Sequence, residues 1–287
     1  MRYLENFRTI ANNYDTILCD IWGVLHCGGD IFEGINKVFC ELSYEPSELI
    51  LVSNSGSLST RTHTNLLRIG LNLEYIDAVV TAGDVLYQAL QMRTVRWCDI
   101  PIESIYCITD FRVSDWRHLA GINFTQNIDT AQAIVLLHMP EGRELINFEK
   151  LITKSIKRCL PLLCANPDKF SPRSDNSVLA PGSLAAKYER QGGNVIYYGK
   201  PYQKLYNYIT KSILKKKMGR TLVIGDSIEH DFCGANNIGA DFLFIESSLH
   251  QEEFIKLTSQ NLRKFLENSG FQISKKHKFY YSKKLYW

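Results

Sequence analysis

The stretch Thr16-Ile17-Leu18-Cys19-Asp20-Ile21-Trp22-Gly23-Val24-Leu25 decides how this chain is read. Its first residues form an apolar, β-favouring run, which predicts a buried strand over Thr16–Cys19. Asp20 stands where that strand ends, and Gly23 marks the turn that follows. An acidic residue at the carboxyl end of a buried strand is a common way for an open α/β sheet to present a reactive group. Far along the chain a second run, Thr221-Leu222-Val223-Ile224, ends in Gly225-Asp226-Ser227 and is followed by Asp231. Two such strand ends can meet over one sheet edge and hold a hard cation between their carboxylates.

Working outward, further apolar runs predict strands over Leu49–Val52, Ala78–Thr81, Ser104–Ile108, Ala133–Leu137, Pro161–Ala165, Val195–Tyr198 and Phe242–Ile245. Between them lie amphipathic segments, which predict helices over Ile31–Leu42, Thr60–Ile69, Ala82–Met92, Phe148–Arg158, Ser183–Arg190, Tyr202–Leu214 and Gln251–Glu267. Ser59 and Thr60 suit the capping position of the second of these helices. Strands alternating with helices point to βα units and a mainly parallel sheet. Residues 83–191 hold an alternation of their own, and both carboxylate-bearing strands lie outside it. The expected organisation is therefore a discontinuous core, 1–82 and 192–287, interrupted by an inserted α/β domain, 83–191.

Composition limits the function classes. The chain has 287 residues, 45% apolar and 22% charged, enough for a sizeable core. A net charge of +3 gives no support to nucleic-acid binding. No apolar run approaches the roughly 18 residues of a membrane span, and Met1–Arg8 carries charges of both signs, unlike a secretory signal. The eight cysteines form no C-x-x-C pair and no zinc spacing, so reduced thiols in the cytoplasm are expected. Lys215-Lys216-Lys217 reads as a solvated last helical turn favoured by the helix dipole. The basic, aromatic end, Ser274 to Trp287, has two readings. Its aromatics pack on the body while its lysines face water, or it contacts single-stranded nucleic acid; no other nucleic-acid motif supports the second, and packing is preferred.

Four signals taken together resemble the haloacid dehalogenase (HAD) superfamily of phosphohydrolases. They are Asp20-Ile21-Trp22-Gly23-Val24-Leu25, then Leu51-Val52-Ser53-Asn54-Ser55, then Gly199-Lys200-Pro201, and last Gly225-Asp226-Ser227-Ile228-Glu229-His230-Asp231. Gly199-Lys200-Pro201, Asn166-Pro167-Asp168 and the long insertion resemble its NagD-like, class IIA branch. The resemblance implies a Rossmann-like parallel-sheet core with an inserted cap of the C2 type. It implies a phosphatase-type hydrolase of a small organic phosphate monoester, a phosphorylated metabolite, through an aspartyl-phosphate. Asp20 would be the nucleophile. Ser53, with the Asn54 backbone N–H beside it, would bind the phosphoryl group, and Lys200 would neutralise its charge and steady Asp20. Mg2+ would be held by Asp20, the backbone carbonyl of Trp22, Asp226 and Asp231, the last directly, through water, or by orienting Lys200. Asn166, Asp168 and Gly182 would lie on the cap side of the substrate. Taken alone, each of these residues has a plainer role as a helix cap, a solvated lysine or a surface acid; their shared order favours the site. The oligomeric state is left open, a homo-oligomer included.

The pattern departs from the family at Trp22. The family has a second Asp there, which protonates the leaving oxygen and later activates water. An indole N–H only donates and does not titrate near neutral pH. Losing that acid is expected to lower the rate on the order of 10²–10⁴. Three outcomes follow. The substrate has a good leaving group; another residue, His26 or Asp168, supplies the proton; or the chain is a catalytically impaired, regulatory binder of a phosphorylated ligand. For His26 a structural role in its loop is the plainer alternative.

Overall fold

A computed structural model of the chain describes residues 2–109, 116, 119–173, 176–246 and 277–287, with backbone alone at 172–173 and 176–177. The expected helix over Gln251–Glu267 lies outside the described residues. The chain divides into two compact units: Met1–Ser53 with Thr60–Val80 and Tyr206–Trp287, and Asn54–Ser59 with Thr81–Leu205.

The first unit is built on a seven-stranded sheet in the order Arg2–Tyr3, Phe279–Ser282, Asp241–Ile245, Thr221–Gly225, Thr16–Asp20, Glu48–Ser53, Ala78–Thr81. The pairings from Arg2–Tyr3 through Glu48–Ser53 are all parallel. Thr16–Asp20 lies inside the sheet, and Thr16 to Cys19 are all buried. That burial on both faces is why the run is apolar throughout rather than alternating. Successive strands move outward in one direction from Thr16–Asp20 and in the other from Thr221–Gly225. The two therefore flank a topological switch point, where open α/β sheets form a crevice at their carboxyl ends. The register pairs Ile224 with Cys19 and Asp20 with Val52. Asp20, Ser53 and the Gly225-Asp226 corner thus emerge at one level of one sheet edge.

The helix Ile35–Leu42 buries Ile35, Val38, Phe39 and Leu42, one face of an amphipathic helix. It starts at Ile35 instead of the expected Ile31 because Gly34 is left-handed, with φ 89°, and cannot continue a helix backwards. The C-terminal segment supplies a strand absent from the sequence expectation, Phe279–Ser282. Tyr280 and Leu285 are buried in the core cluster and Trp287 packs against it, so the packing reading of the aromatic tail holds.

The second unit has a five-stranded parallel sheet in the order Val195–Tyr197, Leu162–Cys164, Ala133–Leu136, Ser104–Ile108, Asn123–Phe124. Its boundaries differ from the expected 83–191. Val195–Tyr197 pairs with Leu162–Cys164, which carries the unit on to Leu205, and the segment Asn54–Ser59 joins it as well. The helix expected over Ser183–Arg190 begins at Pro181, whose fixed φ and missing N–H suit a first helical turn. Among the described residues no helix is long and apolar enough to cross a membrane.

Candidate active site

In the first unit, Asp20, Asp226 and Asp231 each offer a carboxylate oxygen, and these oxygens all lie within 4.8 Å of one another. Asp226 and Asp231 are buried and Asp20 is half-buried. Two glycines make room for them. Gly23, at φ +86°, would place a Cβ 1.9 Å from Asp226 Oδ2. A Cβ on Gly225 would stand 2.2 Å from Asp231 Cγ. The glycines of both motifs are therefore dictated by the space the carboxylates occupy. Asp231 is fixed by the turn that carries it: its N–H donates to Ser227 O at 3.0 Å, and its Oδ2 accepts from Ser227 N at 3.3 Å. Ser227 Oγ in turn accepts from His230 N at 3.3 Å, capping the helical turn Ile228–Phe232.

The donor set suits a hard divalent cation. All three ligands are anionic oxygens, the class Mg2+ takes. Octahedral Mg2+ binds oxygens at about 2.1 Å, so opposite ligands stand about 4.2 Å apart. The observed limit of 4.8 Å is close to that span. Three carboxylates this near each other repel strongly in a low-dielectric setting unless positive charge stands between them.

Trp22 is half-buried in the turn after Asp20. Gly23 N donates to His26 O at 2.9 Å, closing the turn. The indole stands edge-on to the His26 ring, with centroids 5.0 Å apart. Gly28 lies over it, where a Cβ would come within 3.0 Å of the ring. The indole Nε1 is buried and has no hydrogen-bond partner among the described residues. His26 Nδ1 accepts from Gly28 N at 3.1 Å, so the neutral ring carries its proton on Nε2. Burial lowers the His26 pKa below the usual imidazole range, which keeps the ring neutral near pH 7. That state does not suit a proton donor, and His26 is held as a structural part of its loop.

In the second unit the structure brings together Asn54, Asp168 and Lys200. Asn54 Oδ1 accepts from Lys200 N at 2.6 Å, and Asn54 Nδ2 donates to Asp168 Oδ1 at 2.7 Å. Asn54 and Lys200 are both buried. Asn166 Oδ1 accepts from Asp168 N at 2.8 Å, which turns the chain at Pro167. Gly182 is a close approach of backbone to backbone: a Cβ there would meet Pro167 O at 1.9 Å, so the glycine lets a helix start pack on the loop. Two features escaped the sequence reading. Asp84 accepts from Ser59 N and Thr81 N, both at 2.9 Å, and its Thr81-x-x-Asp84 capping box was a legible signal. His138 stands between Ser57 Oγ at 3.2 Å and Thr109 Oγ1 at 3.3 Å. Only its place just past the strand Ala133–Leu136 marked it in the sequence.

Comparison with known proteins bears on this arrangement. A family model described as haloacid dehalogenase-like hydrolase matches residues 17–112, and one described as HAD-hydrolase-like matches residues 197–267. No curated protein matches the sequence. Among solved structures, a haloacid dehalogenase-like hydrolase from Brucella suis 1330 is 26% identical with a TM-score of 0.77, over 86% of this chain and 90% of that one. A glycerol phosphate phosphatase from Mycobacterium tuberculosis, solved with magnesium, is 20% identical with a TM-score of 0.67, over 88% and 74%. NagD from E. coli K-12 is 17% identical with a TM-score of 0.65, over 93% and 96%. The two matched segments carry the two strands that flank the switch point, and the NagD-like fold extends over the rest; the chain belongs to the haloacid dehalogenase-like hydrolases.

Proposed function

We propose that the chain is a Mg2+-dependent phosphoric-monoester hydrolase of a small phosphorylated metabolite. The observation that carries this is the convergence of Asp20, Asp226 and Asp231 at the switch point. Asp20, at the end of its strand, attacks phosphorus; its Oδ–P bond forms as the bond from phosphorus to the leaving oxygen breaks. Water then attacks the aspartyl-phosphate, releasing inorganic phosphate and restoring the carboxylate. Ser53, at the same sheet edge, donates its hydroxyl to a phosphoryl oxygen. Lys200 supplies the cationic charge that the transferring group requires. Asp20, Asp226, the Trp22 carbonyl and, directly or through water, Asp231 would hold Mg2+, which would supply Lewis-acid charge against the anionic phosphoryl oxygens.

Trp22 sets the limits of this chemistry. It cannot give a proton to the leaving oxygen, and His26 is neutral with one nitrogen engaged. The substrate class this favours is one whose leaving group departs as a stable anion, such as an aryl or acyl phosphate. Eight cysteine thiols with no disulfide suit a reducing compartment, and we place the protein in the cytoplasm. The test is hydrolysis of p-nitrophenyl phosphate with and without Mg2+, wild type against Asp20→Asn. Turnover that needs both the metal and Asp20 supports the proposal. Trp22 also favours a second reading, a binder of phosphorylated ligands without turnover. Tight ligand binding with no hydrolysis across a broad phosphate panel would select it.

A further inference from the structure

We propose that Asn54 is a positioning residue whose carboxamide braces the main chain of Lys200 against Asp168. The inference rests on the phosphatase reading for its consequence, since Lys200 is there the cation that meets the phosphoryl group. Its geometry stands alone. One carboxamide reaches both polar groups of the Lys200 backbone: Oδ1 accepts from Lys200 N at 2.6 Å and Nδ2 lies 3.4 Å from Lys200 O. Nδ2 also donates to Asp168 Oδ1 at 2.7 Å. The amide orientation is forced, because a backbone N–H can only donate and a carboxylate can only accept. No other residue type of this size presents an acceptor and a donor in that arrangement.

The surroundings hold each arm in place. Asn54 and Lys200 are 6% and 4% exposed, so these bonds are little shared with bulk water. A Cβ on Gly199 would stand 2.5 Å from Asn54 Oδ1 and 2.5 Å from Pro167 Cδ, which explains the glycine before the lysine. Asp168 is fixed in turn by Asn166, and the backbone of Gly182 packs on Pro167 O and donates to Asp168 O at 2.8 Å. The lysine side chain therefore springs from a main chain that two loops and one amide have immobilised. On this account Asp168 braces Asn54 through its Oδ1.

A donor–acceptor exchange tests the inference. Asn54→Asp keeps the acceptor for Lys200 N but sets two carboxylate oxygens face to face at the Asp168 contact. Burying such a mismatch is expected to lower kcat/KM and inorganic-phosphate affinity by about 10–100-fold. Adding Asp168→Asn to that variant restores one donor and one acceptor with the same total charge. The double variant is expected to regain at least about tenfold of the loss, a recovery that a merely structural role for either residue would not give. Phosphate affinity of the Mg2+-loaded protein is read by calorimetry, so the test survives even if wild type shows no turnover. Should Asn54→Asp not fold, Asn54→Ser removes both bonds without adding charge, and its phosphate affinity is expected to fall about tenfold. Wild-type phosphate affinity in the single variant, or no recovery in the double, would overturn the assignment.

Discussion

Replacing Trp22 by aspartate isolates the one chemical function the carboxylate cluster lacks. The indole stands two residues beyond Asp20, half-buried, edge-on to His26 and with its N–H lacking an acceptor among the described residues. A carboxylic acid in its place can protonate the leaving oxygen. General acid–base catalysis is worth about 10²–10⁴ in rate, which is about 2.7–5.4 kcal/mol of barrier at 1.36 kcal/mol per tenfold. The gain depends on the substrate. Aryl phosphates, whose leaving groups depart unaided, are expected to change little. Alkyl phosphates are expected to gain most of the factor. Folding stability is a separate readout with opposing contributions: the edge-on ring contact, about 0.5–1.5 kcal/mol, and the indole's apolar burial are lost, while a buried donor without a partner, which costs about 1–3 kcal/mol, is removed. The assay is kcat/KM across a series of phosphate monoesters of graded leaving-group pKa, for wild type, Trp22→Asp and Trp22→Phe. Wild type and Trp22→Phe are expected to fall steeply as leaving-group pKa rises, and Trp22→Asp to fall gently. A wild-type enzyme that cleaves alkyl and aryl phosphates equally well would refute the reasoning, since it would already possess an acid.

Three further outcomes are expected. Gly23→Ala forces a side chain into left-handed backbone and onto Asp226 Oδ2, so Mg2+ binding by calorimetry should weaken about 10–100-fold; unchanged affinity would mean Asp226 is not a ligand. Asp84→Ala removes the acceptor for both Ser59 N and Thr81 N, and urea denaturation should show a loss of about 2 kcal/mol; a neutral result would deny it a capping role. Burial pushes the Cys107 thiol up to about 12. Because the thiolate is the reactive form, Cys107 should label far more slowly at about pH 9 in the folded protein than after unfolding in denaturant; equal rates in the two states would refute the burial effect.

Much of the site was legible as local pattern. Asp20 and Asp226 were marked because each follows a run of apolar, β-favouring residues, and a strand buried on both faces has no other way to be written. The same logic gave Ala78–Thr81 and Ser104–Ile108 with their observed limits. It missed the strand Phe279–Ser282: the tail aromatics were expected to pack on the body, but the flanking lysines masked the short β run in which Tyr280 and Ser282 are buried. It also failed at Val195–Tyr197, found in the right place but assigned to the wrong unit, since an apolar strand does not say which sheet it joins.

The sequence by itself determined which side chains end buried strands, because that depends on neighbours a few positions away. Only the tertiary structure decided that Asn54 meets Asp168 and Lys200, 114 and 146 residues distant, and that the Trp22 N–H is buried with no acceptor among the described residues. Those outcomes depend on which strands become neighbours and in what register, a choice made by the packing of the whole chain rather than by any segment of it.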